Sequence, residues 1–164
     1  MDGTRAKMLA WVLLAGACLP VQAHAQGVLP EGIWVLDQAQ SVELAPGAQT
    51  LWVIKDDGQT LIWVNVARSP SGEVRVTSYS GEYGGAPAPV QGGPMMSSIA
   101  SPGPGRIHNW GTVEGLGDYS EDCALTEGGK RFICHGKVMT SDGEKTWTDN
   151  FQWAGPSPDQ PQTP

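Results

Sequence analysis

Residues 119–153 read YSEDCALTEGGKRFICHGKVMTSDGEKTWTDNFQW, and the alternation within this stretch decides the fold. Gly128-Gly129 and Asp142-Gly143 divide it, and both pairs suit tight hairpin loops because their residues accept positive φ. Centring the first turn on Gly128-Gly129 sets Glu127 opposite Lys130, Leu125 opposite Phe132 and Cys123 opposite Cys134. Directly opposed Cα atoms in an antiparallel pair lie about 4.5–5.5 Å apart, within disulfide reach, so a Cys123–Cys134 bond is expected. Centring the second turn on Asp142-Gly143 sets Trp147 opposite Val138, Phe151 opposite Cys134 and Trp153 opposite Phe132. Leu125, Phe132, Val138, Trp147, Phe151 and Trp153 then share one face, while His135, Lys137, Thr148 and Asn150 share the other. The first face is read as core and the second as solvated.

The same pattern extends upstream. Strands are predicted over residues 32–37, 49–56, 59–68, 73–80, 95–100 and 106–113, joined by turn residues such as Ser69-Pro70-Ser71-Gly72. Residues 81–94 (GEYGGAPAPVQGGP) read as a loop or lid, with Met95 and Met96 at its far end. With 22 Gly and 13 Pro in 164 residues, long helices are not expected. The prediction is an all-β, antiparallel up-and-down barrel or barrel-like sandwich of eight to nine short strands with one internal disulfide. The hairpin at 49–68, centred on Asp57-Gly58, pairs Trp52 with Trp63 and Ile54 with Leu61 on one face. Val53 then meets Ile62 and Leu51 meets Val64 on the other, so both faces are apolar. Such a hairpin lies between two layers, or one face is covered by the 81–94 loop, a ligand or another subunit, which makes self-association through 49–68 an expectation.

The N-terminus has the three-part pattern of a secretory signal: Arg5 and Lys7, the apolar run Met8–Leu19, and an A-x-A site at Ala23-His24-Ala25. About 12 apolar residues at 1.5 Å each reach roughly 18 Å, short of the ~30 Å hydrocarbon core, so a cleaved signal over 1–25 is favoured over a membrane anchor. Cys18 lies in a stretch similar to a lipoprotein box but with Ala15 where a large apolar residue is usual. The expected organisation is a signal over 1–25, a single β domain over 26–154 and a disordered Pro-rich tail over 155–164, in a periplasmic or secreted protein. An even pair of cysteines after the signal fits that oxidising compartment.

Gly32-Ile33-Trp34 resembles the G-x-W motif that opens the first strand of lipocalins. More widely, residues 32–153 resemble a group of small exported bacterial proteins of lipocalin-like outline. The resemblance is carried by GIWVLDQAQS at 32–41, YSGEYGGAPAPVQGGP at 79–94 and the closing strands that end in Phe151-Gln152-Trp153. It implies an up-and-down barrel with an interior for a small apolar molecule.

The formal net charge of −7 argues against sustained binding to nucleic acid or anionic membranes. No G-x-S-x-G, H-E-x-x-H, P-loop or G-x-G-x-x-G motif occurs, so no catalytic residue, metal or cofactor is assigned. A metal site on Cys123, Cys134 and His135 is set aside because His135 points away from the face of Cys134. Asp118, Glu121 and Asp122 lack calcium-loop spacing and read as a solvated acidic group. Trp34, Leu125, Val138, Trp147, Phe151 and Trp153 are expected to line a binding interior for a hydrophobic or amphipathic molecule. Two alternatives stand beside this: a structural or envelope-interaction protein using the two-faced hairpin, and a small enzyme centred on His108.

Overall fold

A computed structural model describes residues 27–42 and 47–158. Ten strands form one antiparallel sheet. In chain order they are β1 (Gly32–Leu36), β2 (Gln49–Asp56), β3 (Thr60–Arg68), β4 (Val74–Glu82), β5 (Ala88–Val90), β6 (Met95–Gly103), β7 (Arg106–Val113), β8 (Gly117–Thr126), β9 (Arg131–Thr140) and β10 (Gly143–Gly155). The lateral order β4-β3-β2-β1-β10-β9-β8-β7-β6-β5 is up-and-down except that β1 bridges β2 and β10. The two sheet ends meet through the Ser78–Gln91 bridge and the Tyr83–Ile99 contact, so the sheet curls into a nearly closed barrel.

The strand count exceeds the expected eight to nine because residues 81–94 are not a lid. Val90 is 2% exposed and β5 pairs with β6, with Gly84 (φ 74°) and Gly92 (φ 78°) making the tight turns on either side. Glycine and proline suggested a loop by composition, but here glycine supplies positive φ and Pro89 occupies an edge strand, where a missing N–H costs little. β10 continues to Gly155, and Ser157 beyond it is buried.

The disulfide joins Cys123 and Cys134, which are register partners as expected, as are Leu125 and Phe132. The loop differs: Glu127 and Lys130 are not paired but belong to a four-residue connection containing a short 3₁₀ turn.

Both Asp-Gly hairpins are shifted by two residues from the expected register. In the last one, Thr140 pairs with Gly143 and the turn is Ser141-Asp142, held by Thr140 Oγ1, which accepts from Asp142 N at 3.2 Å. Trp147 therefore opposes Gly136 and Phe151 opposes Phe132, while Trp153 pairs with Trp34 across β1. In the first, the Asp57 carboxylate accepts from Gln59 N (2.9 Å) and Thr60 N (2.7 Å), which lengthens the turn. Ile54 thus opposes Trp63, and Trp52 opposes Asn65. A shift of two preserves the facing of every side chain, so the inside and outside assignments survive.

Asn150 is a further correction. It points outward, as the alternation requires, yet is 7% exposed because residues 37–42 run on beside β10 and cover it. Arg131 Nη1 donates to its Oδ1 at 2.8 Å, and Ser41 Oγ accepts its backbone N–H at 3.0 Å.

Candidate functional site

The inward residues divide the barrel into three levels. At the end where β1 begins, residues 27–31 fold across the opening: Leu29 is 3% exposed, and the buried Asp56 carboxylate binds the segment in place. Asp56 Oδ2 accepts from Leu29 N (2.8 Å) and from the Tyr83 hydroxyl (2.7 Å), and Oδ1 accepts from Gly58 N (2.9 Å). Burial, reinforced by the hydrogen bond and the charge of Asp56, holds the Tyr83 hydroxyl protonated far above its ordinary range. Leu125 and Trp153 belong to this end. Both are half-buried, and Trp153 Nε1 donates to Glu31 O.

The middle level is filled by rings. Trp52 stacks on Trp63 (5.5 Å) and meets Phe151 at 4.9 Å, Trp34 meets Phe132 at 5.8 Å, and Trp63 stacks on Tyr79 at 5.8 Å. Trp34 and Phe151, two of the expected lining residues, are fully buried in this packing.

Toward the other end the interior becomes polar. Glu121, on β8, is 7% exposed and faces inward beside the disulfide. Its Oε1 accepts from Trp147 Nε1 at 3.0 Å. The indole can lie there because its opposite residue is Gly136, where any Cβ would fall 2.0 Å from Trp147 Cε2. Asn109 Oδ1 accepts from Ser97 Oγ (2.6 Å) and the Tyr119 hydroxyl (3.1 Å). Asp149, two residues from Phe151 on the same face, is half-buried, as are Trp52 and Trp147. Val138, opposite Tyr119, closes the row.

Burial pushes the Glu121 carboxyl up to about 7, against the hydrogen bonds from Trp147 and Asn109 and with help from the nearby Asp149 charge. Burial likewise pushes Asp149 up to about 6. Arg75 and Lys145 lie in the inward register of β4 and β10 but are exposed at the rim. Asp118, Glu121 and Asp122 are thus not one solvated group: strand alternation sends Glu121 inside and Asp122 outside. Glu121 lies close to Cys123 and Cys134, but both sulfurs are committed to the disulfide, which leaves no thiolate for a metal.

His108 stands on the outer face, its Nδ1 2.8 Å from Asp122 Oδ1 and its ring stacked on Trp110. Both partners of the pair are exposed. His135 is also outside, against Thr148 Oγ1. The outer face of β1–β4 carries the second apolar set expected of the 49–68 hairpin. Val35, Ile62, Val74 and Val76 are exposed, and a groove of about 600 Å³ runs past Val35, Leu51 and Val66.

No protein-family model matches the chain, and no curated protein matches it. Among solved structures it is similar to the zebrafish ileal bile acid-binding protein complexed with cholic acid, with a TM-score of 0.53 and 11% identity over 76% of this chain and 98% of that one. At that identity the similarity establishes the fold alone, a lipocalin-like antiparallel β-barrel with ten strands here.

Proposed function

We propose that this chain is a small-molecule-binding barrel that takes an amphipathic ligand at the polar end of its interior, in an exported, periplasmic or secreted protein. The observation that carries this reading is the half-buried Trp147, whose indole lies against Glu121 in the polar cluster and outside the ring packing below. An apolar wall with a few convergent polar groups is the usual composition of a ligand site. The similarity to a barrel crystallised with cholic acid supports the reading through the fold. Trp147 and Val138 are the lining residues from the expected set, with the fully buried Phe151 beneath them. Trp34, Leu125 and Trp153 support them from below.

The test is a tryptophan-fluorescence titration against single-chain amphiphiles, bile acids and aromatic dyes. Saturable quenching with micromolar midpoints, roughly −8 kcal/mol, is expected for at least one class, weakened in Trp147→Ala. A screen without saturable signal rejects the reading. Export is tested separately by the intact mass of native material, which begins at Gln26 if the signal over 1–25 is cleaved.

A second reading, self-association through the outer face of β1–β4 around the 49–68 hairpin, is favoured by the exposed Val35, Ile62, Val74 and Val76. Sedimentation velocity from micromolar to millimolar concentration tests it: a dimer that Val76→Lys dissociates supports the reading, and a monomer throughout rejects it.

A further inference from the structure

We infer that the ligand bound in this interior carries a cationic head group, a protonated amine, which Glu121 and Asp149 receive while the chain of the ligand lies against Trp147. The inference rests on the reading of the barrel as a ligand-binding protein and specifies its ligand.

Two observations on different residues point the same way. First, Glu121 is more than nine-tenths buried, and the groups that hold it are neutral donors, Trp147 Nε1 at 3.0 Å and the Asn109 side chain. Second, Asp149 Oδ1 is buried without a hydrogen bond to any described residue, an unmet acceptor on the same inner face as Glu121. Native interiors rarely leave buried polar atoms unpaired, and those that remain call for a partner from outside the chain. An ammonium group with three N–H donors meets the carboxylate requirement, and an indole face beside it adds cation–π attraction.

Among the described residues, the surroundings supply no competing cation. Glu121 faces Asn109 from β7, Gly136 from β9, and Trp147 and Asp149 from β10. Tyr119 and Cys123 flank it on β8, and Asp122 points to the outer face. Arg75 and Lys145 are exposed at the rim, and neither contributes to holding the Glu121 charge. Burial leaves both carboxyls poised to ionise near neutral pH, so a cation entering the site finds its counter-charge there. A carboxylate ligand would instead add a third negative group to a pair that already repel one another.

The experiment uses the full-length protein with decylamine, decanol and sodium decanoate, titrated at pH 8 by tryptophan fluorescence. Decylamine is expected to bind at least tenfold more tightly than decanoate, with decanol between them. Glu121→Gln, which keeps an acceptor for Trp147, is expected to reduce decylamine affinity at least tenfold and leave decanol within twofold. Asp149→Asn gives the same test should the first variant not fold. Decanoate binding equal to or tighter than decylamine overturns the head-group inference and leaves the binding reading standing. Absence of binding by all three overturns both.

Discussion

The barrel holds two buried carboxylate sites, and they are finished differently. At the end closed by residues 27–31, Asp56 accepts from Leu29, Gly58 and Tyr83, so its oxygens are committed to the chain's own donors. Toward the opposite end, among the described residues, Glu121 has neutral donors only and Asp149 Oδ1 has none. A fully satisfied buried acid organises structure, because removing it strands the donors it held. An incompletely satisfied acid costs stability, and it persists where something other than the fold uses it. The contrast gives Asp56 to the architecture and leaves the Glu121–Asp149 pair as the counter-charge of the proposed ligand.

Breaking the closed end should have the largest effect. Asp56→Ala leaves the Leu29 amide and the Tyr83 hydroxyl without their acceptor in a buried site, and about 4 kcal/mol of stability should be lost. Urea denaturation measures it, and a loss below about 1 kcal/mol would remove the structural role given to Asp56.

The opposite end should reveal itself through pH. Glu121 has its carboxyl raised from 4.5 to about 7 on folding, so the folded chain holds a proton that the unfolded chain releases. Its contribution to stability is therefore fully present below about pH 4.5 and is lost as pH rises to about 7 and beyond. The magnitude is on the order of 3 kcal/mol. Thermal unfolding across pH 4 to 8 should show this decline, flattened in Glu121→Gln. A profile that is the same in the variant and in the wild type would contradict the buried, raised state of Glu121.

The smallest effect is expected at Asp149. Replacing it with Asn removes an ionised group that burial disfavours, so stability at pH 8 should rise by about 1 kcal/mol, with little change at pH 3.5, below the ordinary Asp value, where the acid is protonated in the folded and unfolded chains alike. Chemical denaturation at the two pH values distinguishes this from a structural acid like Asp56, whose removal would destabilise at both.

Much of this was legible in the residues. Alternation along 119–153 gave the inner face, and the Gly-Gly turn gave the cysteine pairing. The two Asp-Gly turns were placed but mis-registered, because side-chain bonds from Asp57 and Thr140 decide the loop length and two-residue slips leave the hydrophobic pattern unchanged. β5 was hidden because its prolines and glycines resemble a loop until an edge position gives them a place. The polar end was within reach. Glu121 has the parity of Cys123 and Leu125, and Asp149 has the parity of Trp147 and Phe151, so the alternation that put those residues inside also put two acids there. Reading Asp118, Glu121 and Asp122 as one acidic group obscured that signal. The covering of Asn150 by residues 37–42 had no comparable signal, since it depends on a contact between segments more than a hundred residues apart.

The contrast between the two ends is tested most directly by ¹³C NMR of the side-chain carboxyls, titrated from pH 3 to 9 with and without decylamine. Glu121 should titrate near 7 and Asp149 near 6 in the free protein, and both should fall below 5 when the amine is bound. Carboxyls that titrate below 5 in the free protein, or that keep their values at saturating decylamine, would contradict the account.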